Sequence, residues 1–507
     1  MARGDGPAAP APRCGGVQCV HRACTERAPD CRADRRSGRP APCRPPPSRA
    51  GRRYPPQPGL PGPDGRPAGP DGHAAAGGGA GRSAAARGQG AAHRMSKPRV
   101  LLLPDVPNWA YDNICDHIVA QHGDRFAFER YYMAGVLGYP EVFLNQVFGI
   151  MPAFDILHFL WREDIQHLMN PEAVHTAATK FSRSAEGLLD AIARPVITAS
   201  VYDHLHLEPQ HHAWRARAFW FGDAYSVSSG VLRDIYRGID AFPDPAAVLP
   251  DGTDTALFRP EGLDRLTEDR PLRVGWVGNS NWGNDPARDV KGVHTVLTPA
   301  LEALRAEGLQ IETNFADSSV RRRDRQEMAQ YYGGIDVLVC ASEFEGTPNP
   351  VLEALASGVP IVSTRVGIVP EALGPRQSEF ILPERSPRAM ADALRRLARD
   401  RALLAVLSAE NVARAPAWDW AETTRGWPAF WEGAMARNRE GGRAPLKQML
   451  LRERYAAWYA DNVRYRDRWA DAPAAEAPRS AARQAVSDWI TRSPRRQAVY
   501  DRLRGRR

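Results

Sequence analysis

The chain lacks any apolar run long enough to cross a membrane, and it lacks the hydrophobic region typical of a secretory signal. A membrane-spanning helix needs roughly 20 consecutive apolar residues, and no stretch of this sequence approaches that length. Cysteine is scarce beyond residue 43, where only Cys115 and Cys340 remain of the seven. We therefore expect a cytoplasmic protein in a reducing compartment, without structural disulfides.

Residues 1–94 lack the side chains that build a core. This stretch is rich in Arg, Pro, Gly and Ala, nearly free of Ile, Leu and Phe, and without apolar periodicity. Such a composition cannot bury enough surface to offset chain entropy, so it predicts disorder. Its five cysteines and His21 leave a zinc site open, although their spacings are not of the Cys-x-x-Cys type. A second interpretation is an over-extended gene start, because Met95 begins a typical opening followed at once by a strand pattern.

Positive charge is concentrated at the two ends of the chain, which has a net charge of +8. Residues 1–94 contain 16 Arg against 6 Asp and Glu, and residues 432–507 contain 18 basic against 9 acidic side chains. Residues 95–431 therefore have a net charge of −11. A nucleic-acid-binding core usually shows the opposite distribution, so we expect no nucleic acid partner.

From residue 100 onward, apolar runs alternate with amphipathic segments. This alternation predicts an α/β fold with doubly wound parallel sheets. Strands are expected at residues 100–103, 154–160, 195–201, 224–228, 272–278, 309–315, 335–339 and 359–363. Helices are expected at residues 112–121, 293–307, 323–332 and 387–399.

Residues 340–358 are the most informative segment. An apolar strand pattern leads into an acidic loop with Glu343 and Glu345, followed by a helix with Asn349 as the expected N-cap and Gly358 as its end. Open α/β sheets bind ligands at such loops. Free N–H groups at the helix start suit a phosphate, and a nearby carboxylate suits sugar hydroxyls. The segment is expected to bind a nucleotide sugar; the alternative is a generic buried βαβ unit with solvated glutamates.

The pattern Glu-Gly-x-Pro-x-x-x-Leu-Glu-Ala, which starts at Glu345, resembles the signature of the retaining glycosyltransferases of family four. Their two signature glutamates correspond here to Glu345 and Glu353. A second stretch, Pro-x-Gly-x-Asp-x-x-x-Phe-x-Pro from Pro250 to Pro260, is similar to the family's connector between domains. The resemblance covers residues 98–431 and is strongest from Leu249 on.

This resemblance implies the GT-B architecture, in which two Rossmann-like domains face each other across a cleft. We expect an acceptor-side domain at residues 95–268 and a nucleotide-sugar-binding domain at residues 269–412. A crossover helix at residues 413–431 would return to the first domain, and residues 432–507 would form a basic helical tail.

The family also implies a donor site. Glu353 would bind the ribose hydroxyls, and Glu345 with nearby backbone N–H groups would hold sugar and phosphate. Lys291 would neutralise the diphosphate. The family's Arg after the first-strand glycine is missing, so Arg288 is the expected substitute unless Asp285 or Asp289 pairs with it. The full expected donor-binding set is Glu353, Gly346, Thr347, Asn349, Val351, Gly278, Asn279 and Arg288.

The expected catalytic set is Glu345, Lys291, His204 and Asp203. The family has a His-Asp pair in the first domain, with the His near the reacting sugar carbon. Here Tyr202 replaces that His, and His204 lies just beyond Asp203; His204 either supplies the contact or is an ordinary strand-end histidine. Trp109 either stacks on an acceptor sugar or simply packs. No metal site and no cofactor are expected, because cations and a helix N-terminus can stabilise a departing diphosphate.

The implied function is transfer of a sugar, with retention, from a nucleotide-diphosphate sugar to a saccharide or lipid-linked acceptor in cell-surface polysaccharide or glycolipid synthesis. The alternative is a non-catalytic scaffold of the same fold that binds a nucleotide sugar. The basic tail is compatible with a peripheral hold on anionic lipid at the inner face of the membrane. A solvated helical face or a dimer contact explains the tail equally well.

Overall fold

The computed structural model describes residues 97–136, 138–282 and 288–463. The expectations for residues 1–94, for Asp285 and for the tail beyond residue 463 lie outside these described residues. The chain from residue 97 forms two lobes, each built on its own sheet. The first lobe is defined by the strands before residue 249, and the second lobe by the strands from residue 272 onward.

The first lobe contains a six-stranded, wholly parallel sheet in the order β2-β1-β3-β4-β5-β6. Its strands are β1 (Arg99–Leu103), β2 (Ala127–Arg130), β3 (Ile156–Phe159), β4 (Val196–Val201), β5 (Ala224–Val227) and β6 (Ala247–Val248). Its helices are α1 (Ala110–His122), α2 (Pro140–Ile150), α3 (Ile165–Leu168), α4 (Pro171–Lys180), α5 (Ala185–Ala193), α6 (Pro209–Phe221) and α7 (Gly230–Arg237). Strands β3 and β4 are buried at every position, because helices cover both faces of a doubly wound sheet.

The second lobe contains a four-stranded parallel sheet in the order β10-β9-β7-β8. Its strands are β7 (Leu272–Gly278), β8 (Ile311–Asp317), β9 (Val337–Cys340) and β10 (Ile361–Ser363). Its helices are α8 (Thr298–Ala306), α9 (Arg325–Tyr332), α10 (Asn349–Ala356), α11 (Val369–Ala372), α12 (Pro387–Arg399) and α13 (Arg401–Arg414). The chain leaves β7 towards β8 and later returns to the other side through β9, so the strand order reverses between β7 and β9.

The chain then returns to the first lobe. The expected single helix at residues 413–431 is wrong: α13 ends at Arg414, a short turn and α14 (Trp420–Thr423) follow, and α15 (Trp427–Glu440) begins only at Trp427. Pro416 and Gly426 lie where the helices of this stretch are interrupted. Proline has no N–H group to donate to the preceding turn of a helix. Helix α15 packs with the first-lobe core, where Trp427 and Trp431 are buried.

The last described helix, α16 (Arg443–Asn462), also belongs to the first lobe. Lys447 on this helix is fully buried and lies 2.8 Å from Asp223, which is equally buried. Its ammonium also donates to the carbonyl of Pro195 at 2.6 Å. A charge taken out of water must be paired and hydrogen-bonded, and both conditions hold here. The described part of the tail is thus an integral layer of the first lobe.

Most sequence predictions of secondary structure are confirmed. Strand β7 and helix α12 have the predicted bounds. The helix predicted at residues 293–307 is instead a π-helical turn, Val293–Leu297, followed by α8, and the strand after it lies two residues later than predicted. Strand β2 was not predicted, because its half-exposed edge position leaves no apolar run. In the described residues, no helix combines the length and apolarity needed to span a bilayer.

Candidate functional site

The candidate site lies at the carboxyl ends of β7 and β9, where the strand order of the second sheet reverses. At such a point the loops after the two strands diverge and leave a crevice, in which open α/β sheets bind their ligands. The loop after β7 leads to Lys291, and the loop after β9 contains Glu345. Both residues were predicted site residues, and the topology brings them to the same sheet edge.

Lys291 is placed by the glycine that follows it. Gly292 has φ +70° and ψ 13°, in the left-handed region that favours glycine. A Cβ on Gly292 would lie 2.2 Å from the carbonyl oxygen of Ala341, so no larger residue fits between the two loops. The N–H of Glu343 donates to the carbonyl of Val290 at 2.8 Å and ties the same loops together. The Lys-Gly pair therefore holds Lys291 against the acidic loop.

Lys291 and Glu345 form an ion pair. The Lys291 Nζ lies 2.5 Å from Glu345 Oε1, and both side chains are about one-fifth exposed. Burial alone would lower the pKa of Lys291, but the adjacent Glu345 carboxylate outweighs burial and raises it. The ring centroid of Trp282 lies 5.8 Å from Lys291 Nζ. The site therefore contains an ammonium group close to both a carboxylate and an aromatic ring.

Glu353, the second signature glutamate, is held by a tyrosine. The hydroxyl of Tyr332 donates to Glu353 Oε2 at 2.6 Å, and Tyr332 itself is fully buried. Burial raises the pKa of Glu353, while the hydrogen bond from Tyr332 and the charge of Arg325 act in the opposite direction without cancelling it. Tyr332 lies on α9 and Glu353 on α10, so no local pattern predicts this contact.

The start of α10 differs from its prediction. Asn349 is the first helical residue, not the N-cap; that position belongs to Pro348, whose carbonyl accepts from the N–H of Val351 at 2.8 Å. Within the described residues, the side-chain oxygen of Asn349 is buried and has no hydrogen-bond partner. The predicted stop at Gly358 is confirmed, because α10 ends at Ala356 and Gly358 follows with φ +71°, in the left-handed region. Val351 is fully buried, so its side chain serves packing.

Gly346 and Thr347 lie where the two lobes touch. A Cβ on Gly346 would lie 2.2 Å from the carbonyl oxygen of Tyr202 and 2.4 Å from the hydroxyl of Ser228, both in the first lobe. The hydroxyl of Thr347 accepts from the backbone N–H of Asp251 at 3.5 Å. Only a glycine allows this approach of the backbones across the cleft, which accounts physically for Gly346.

Arg288 and His204 meet around one aromatic ring. The guanidinium carbon of Arg288 lies 5.4 Å from the ring centroid of Phe344, and the His204 ring packs edge-on against Phe344 at 4.7 Å. Burial lowers the pKa of His204, so the imidazole is neutral near pH 7. Asp289, a suggested partner of Arg288, is occupied elsewhere: its Oδ2 accepts from the backbone N–H groups of His294 and Thr295. Both predicted residues therefore lie next to the acidic loop.

Asp203 has a structural environment. Its Oδ1 lies 2.8 Å from Arg162 Nη1 and accepts from the N–H of Leu205 at 2.9 Å. The hydroxyl of Tyr236 donates to the Asp203 carbonyl at 3.0 Å. These contacts fix the loop after β4 that positions His204. Arg162, nearly fully buried, was missed by sequence reasoning, because an arginine after a strand carries no motif of its own.

Gly278 and Asn279 end β7 and turn the chain away. The ring of Trp276 covers the space beside Gly278, where a Cβ would lie 2.8 Å from it. The side-chain oxygen of Asn279 accepts from the N–H of Asn281, and its carbonyl accepts from the N–H of Trp282. Asn279 thus shapes the turn that carries Trp282 towards Lys291. It places no cation where the family has its Arg.

Asp251 is a site-proximal group that sequence reasoning did not single out. It lies in the connector between the lobes, is 4 % exposed, and contacts Thr347 through its N–H. Burial raises the pKa of its carboxyl group to about 8. The predicted connector pattern contained it as an unassigned position, so only the structure reveals that this acid is buried between the lobes.

The sequence comparisons point to one family. Residues 289–400 match the family described as glycosyl transferases group 1. The matched segment includes Lys291, Glu345 and Glu353. A D-inositol 3-phosphate glycosyltransferase of Corynebacterium glutamicum is 27 % identical over 243 residues, which is 42 % of this chain and 57 % of that protein. An MMP α-(1→4)-mannosyltransferase of Mycolicibacterium hassiacum is 33 % identical over 161 residues, covering 30 % of this chain and 38 % of that protein.

The chain spans about half the length of the inositol-phosphate glycosyltransferases it matches. Among solved structures, a sucrose-phosphate synthase from Thermosynechococcus elongatus shows 14 % identity and a TM-score of 0.47, covering 67 % of this chain and all of that one. HepE of Anabaena, solved with UDP and glucose, shows 15 % identity and a TM-score of 0.47, covering 66 % of this chain and all of that one.

Proposed function

We propose that the chain is a glycosyltransferase that transfers a sugar, with retention of anomeric configuration, from a nucleoside-diphosphate sugar to a saccharide or lipid-linked acceptor, as a family-four enzyme. The single observation that carries the proposal is the ion pair of Lys291 and Glu345 at the strand-order reversal of the second sheet. The segment that contains both residues and Glu353 matches the group 1 glycosyl transferases.

The positively charged residues bind the diphosphate, and the glutamates bind hydroxyl groups of the donor. The Lys291 ammonium binds the diphosphate and stabilises the negative charge that develops on it, aided by the N–H groups at the start of α10. Arg288, which stacks on Phe344 and is not bound by Asp289, is the second cation. Glu345 exchanges its contact with Lys291 for the sugar hydroxyls, and Glu353 accepts hydrogen bonds from the ribose hydroxyls.

Charge stabilisation leaves little need for a strong protein base. As the bond between the anomeric carbon and the diphosphate oxygen breaks, that oxygen takes the proton of the attacking acceptor hydroxyl on the same face. Neutral His204 lies beside Phe344 at the first-lobe side of the cleft and contacts the donor sugar there. Asp203 acts through the loop that positions His204.

The test is a panel of UDP-, GDP- and ADP-sugars incubated with the full chain, with and without saccharide acceptors, while released nucleotide is measured. Lys291→Gln should lower the rate by about 10²–10³, the typical loss for one preorganised charge-stabilising donor. Lys180→Gln is the matched control, since Lys180 is exposed and pairs with Glu141 in the first lobe. Undiminished turnover in Lys291→Gln would contradict the proposal. Nucleotide binding without release from any donor would support the scaffold alternative instead.

A further inference from the structure

An exposed tryptophan stands at the mouth of the cleft on the first lobe. Trp109 ends the loop that follows β1 and is 53 % exposed, although it is among the largest apolar side chains of the protein. The carboxyl end of β1 lies at the same edge of the parallel first sheet as the loop after β4, whose Tyr202 carbonyl meets Gly346 of the second lobe. An aromatic face exposed at this edge is suited to stacking against a sugar ring.

A charged side chain from the second lobe reaches this tryptophan. Arg322 lies in the turn between β8 and α9, and its Nη2 donates to the carbonyl of Asn108 at 2.8 Å. Its guanidinium carbon lies 5.3 Å from the ring centroid of Trp109. The two lobes thus contribute one residue each to a pair, Trp109 and Arg322, that spans the cleft mouth.

Arg322 has no acidic partner among the described residues, whereas Arg321 and Arg325 each have one. Arg323 also lacks one in the described chain, but its guanidinium lies over the Tyr331 ring and donates to the carbonyl of Phe315. Arg321 pairs with Glu327, and Arg325 lies 3.6 Å from Asp254. Arg322 uses one donor on a carbonyl and leaves the others unassigned, and a guanidinium stacked on an indole keeps its edge available for a planar or tetrahedral anion.

We propose that the acceptor is a saccharide that carries a phosphate or carboxylate group, stacked on Trp109 and paired through that group with Arg322. This inference rests on the proposed function and adds the chemical class of its acceptor. Because the pair draws one residue from each lobe, an acceptor bound there also bridges the lobes.

Binding of defined probes to the full chain tests the inference. Glucose, mannose and galactose are compared with their 6-phosphates and their uronic acids by saturation-transfer NMR and calorimetry, with inorganic phosphate as a separate probe. At least one charged sugar should bind ten-fold or more tightly than its neutral parent. Arg322→Gln should abolish that difference, while Arg321→Gln, the neighbouring exposed arginine, should preserve it. Trp109→Ala should weaken the binding of the charged sugar and the binding of its neutral parent by the same factor.

Several results would overturn the inference. The first is that the wild type binds none of the charged sugars more tightly than its neutral parent. The second is that Arg321→Gln and Arg322→Gln lose the preference for charged sugars to the same extent. Inorganic phosphate that binds as tightly as the sugar phosphate would remove the saccharide part. Loss of the charge preference in Lys291→Gln would place the anion in the donor site instead. Titration with UDP, GDP and ADP separates this inference from the proposed function, since nucleotide binding by Arg322→Gln should equal that of the wild type.

Discussion

Replacing Tyr332 by Phe should move the pH dependence of nucleotide binding to higher pH. The Tyr332 hydroxyl donates to Glu353 Oε2 at 2.6 Å in a buried setting. Burial raises the pKa of Glu353 and this hydrogen bond opposes the rise. A hydrogen bond to a charged group contributes about 1.5–3 kcal/mol, and one pKa unit corresponds to about 1.4 kcal/mol. Its loss should therefore raise the pKa of Glu353 by about 1–2 units.

The direction of the shift in the pH dependence of binding depends on the proposed role of Glu353. The ionised carboxylate accepts ribose hydroxyls, so affinity falls as pH drops through the pKa of Glu353. In Tyr332→Phe this acid limb should lie about 1–2 pH units higher. The assay is calorimetric titration with UDP, GDP and ADP at a series of pH values. Protonation of the nucleotide phosphates is common to all variants and cancels in the comparison.

Tyr331→Phe is a matched control. The Tyr331 hydroxyl lies 2.6 Å from the carbonyl of Asn314 and 3.2 Å from that of Trp276, and it makes no contact with Glu353. Both variants lose one buried hydroxyl and should lose about 1 kcal/mol of unfolding free energy. An acid limb of Tyr332→Phe that coincides with that of the wild type, or an equal shift in Tyr331→Phe, would show that this hydrogen bond does not lower the pKa of Glu353.

Two further predictions concern Asp251 and Gly292. Because burial raises the pKa of Asp251 to about 8, the wild type loses stability as pH rises from its unfolded value towards 8. Asp251→Asn does not ionise, so its stability relative to wild type should rise by about 3 kcal/mol between pH 5.5 and 9, measured by chemical unfolding. Gly292→Ala should weaken nucleoside-diphosphate binding at least ten-fold, because its Cβ would push the Ala341 carbonyl and displace Lys291.

Gly308→Ala is the control for Gly292→Ala. Gly308 has φ +86° but open space around it, so Gly308→Ala should cost about 1–3 kcal/mol in backbone strain and leave nucleotide binding unchanged. Equal binding losses in the two alanine variants would show that strain, not displacement of Lys291, is responsible. For Asp251, a stability difference that stays constant across the pH range would show that this carboxyl group does not titrate with a raised pKa.

Local patterns predicted the sheets well, and contacts between distant segments could not be predicted. Strand β7 has its predicted bounds because an apolar run between turn residues is a local signal. The Glu-pair loop and Lys291 were predicted to share a site, and the parallel topology brings them together. The Tyr332 contact to Glu353 and the Arg322 contact to Trp109 join separate elements, and neither Tyr332 nor Arg322 belongs to a motif.

The start of α10 shows that a helix boundary cannot always be predicted from local sequence. Asn349 is a preferred N-cap residue type, and a proline such as Pro350 is favoured at the first helical position. The structure instead starts the first turn on the carbonyl of Pro348, because the preceding loop must bring Gly346 against Tyr202. Tertiary contact thus shifted the helix start by one residue. The broken helix after residue 414 has a similar origin, since the chain there must change lobes.

The chain passes between the lobes twice, and the two passages lie side by side. The N–H of Thr253 donates to the carbonyl of Trp418 at 2.8 Å, and the N–H of Trp420 donates to the carbonyl of Thr253 at 3.3 Å. Asp419 adds hydrogen bonds from Thr255. Because these two neighbouring backbone segments join the lobes, an opening of the cleft would turn the lobes about this junction and break the contacts farther from it. Closing about the same junction would return Arg322 to Trp109, and Gly346 to Tyr202.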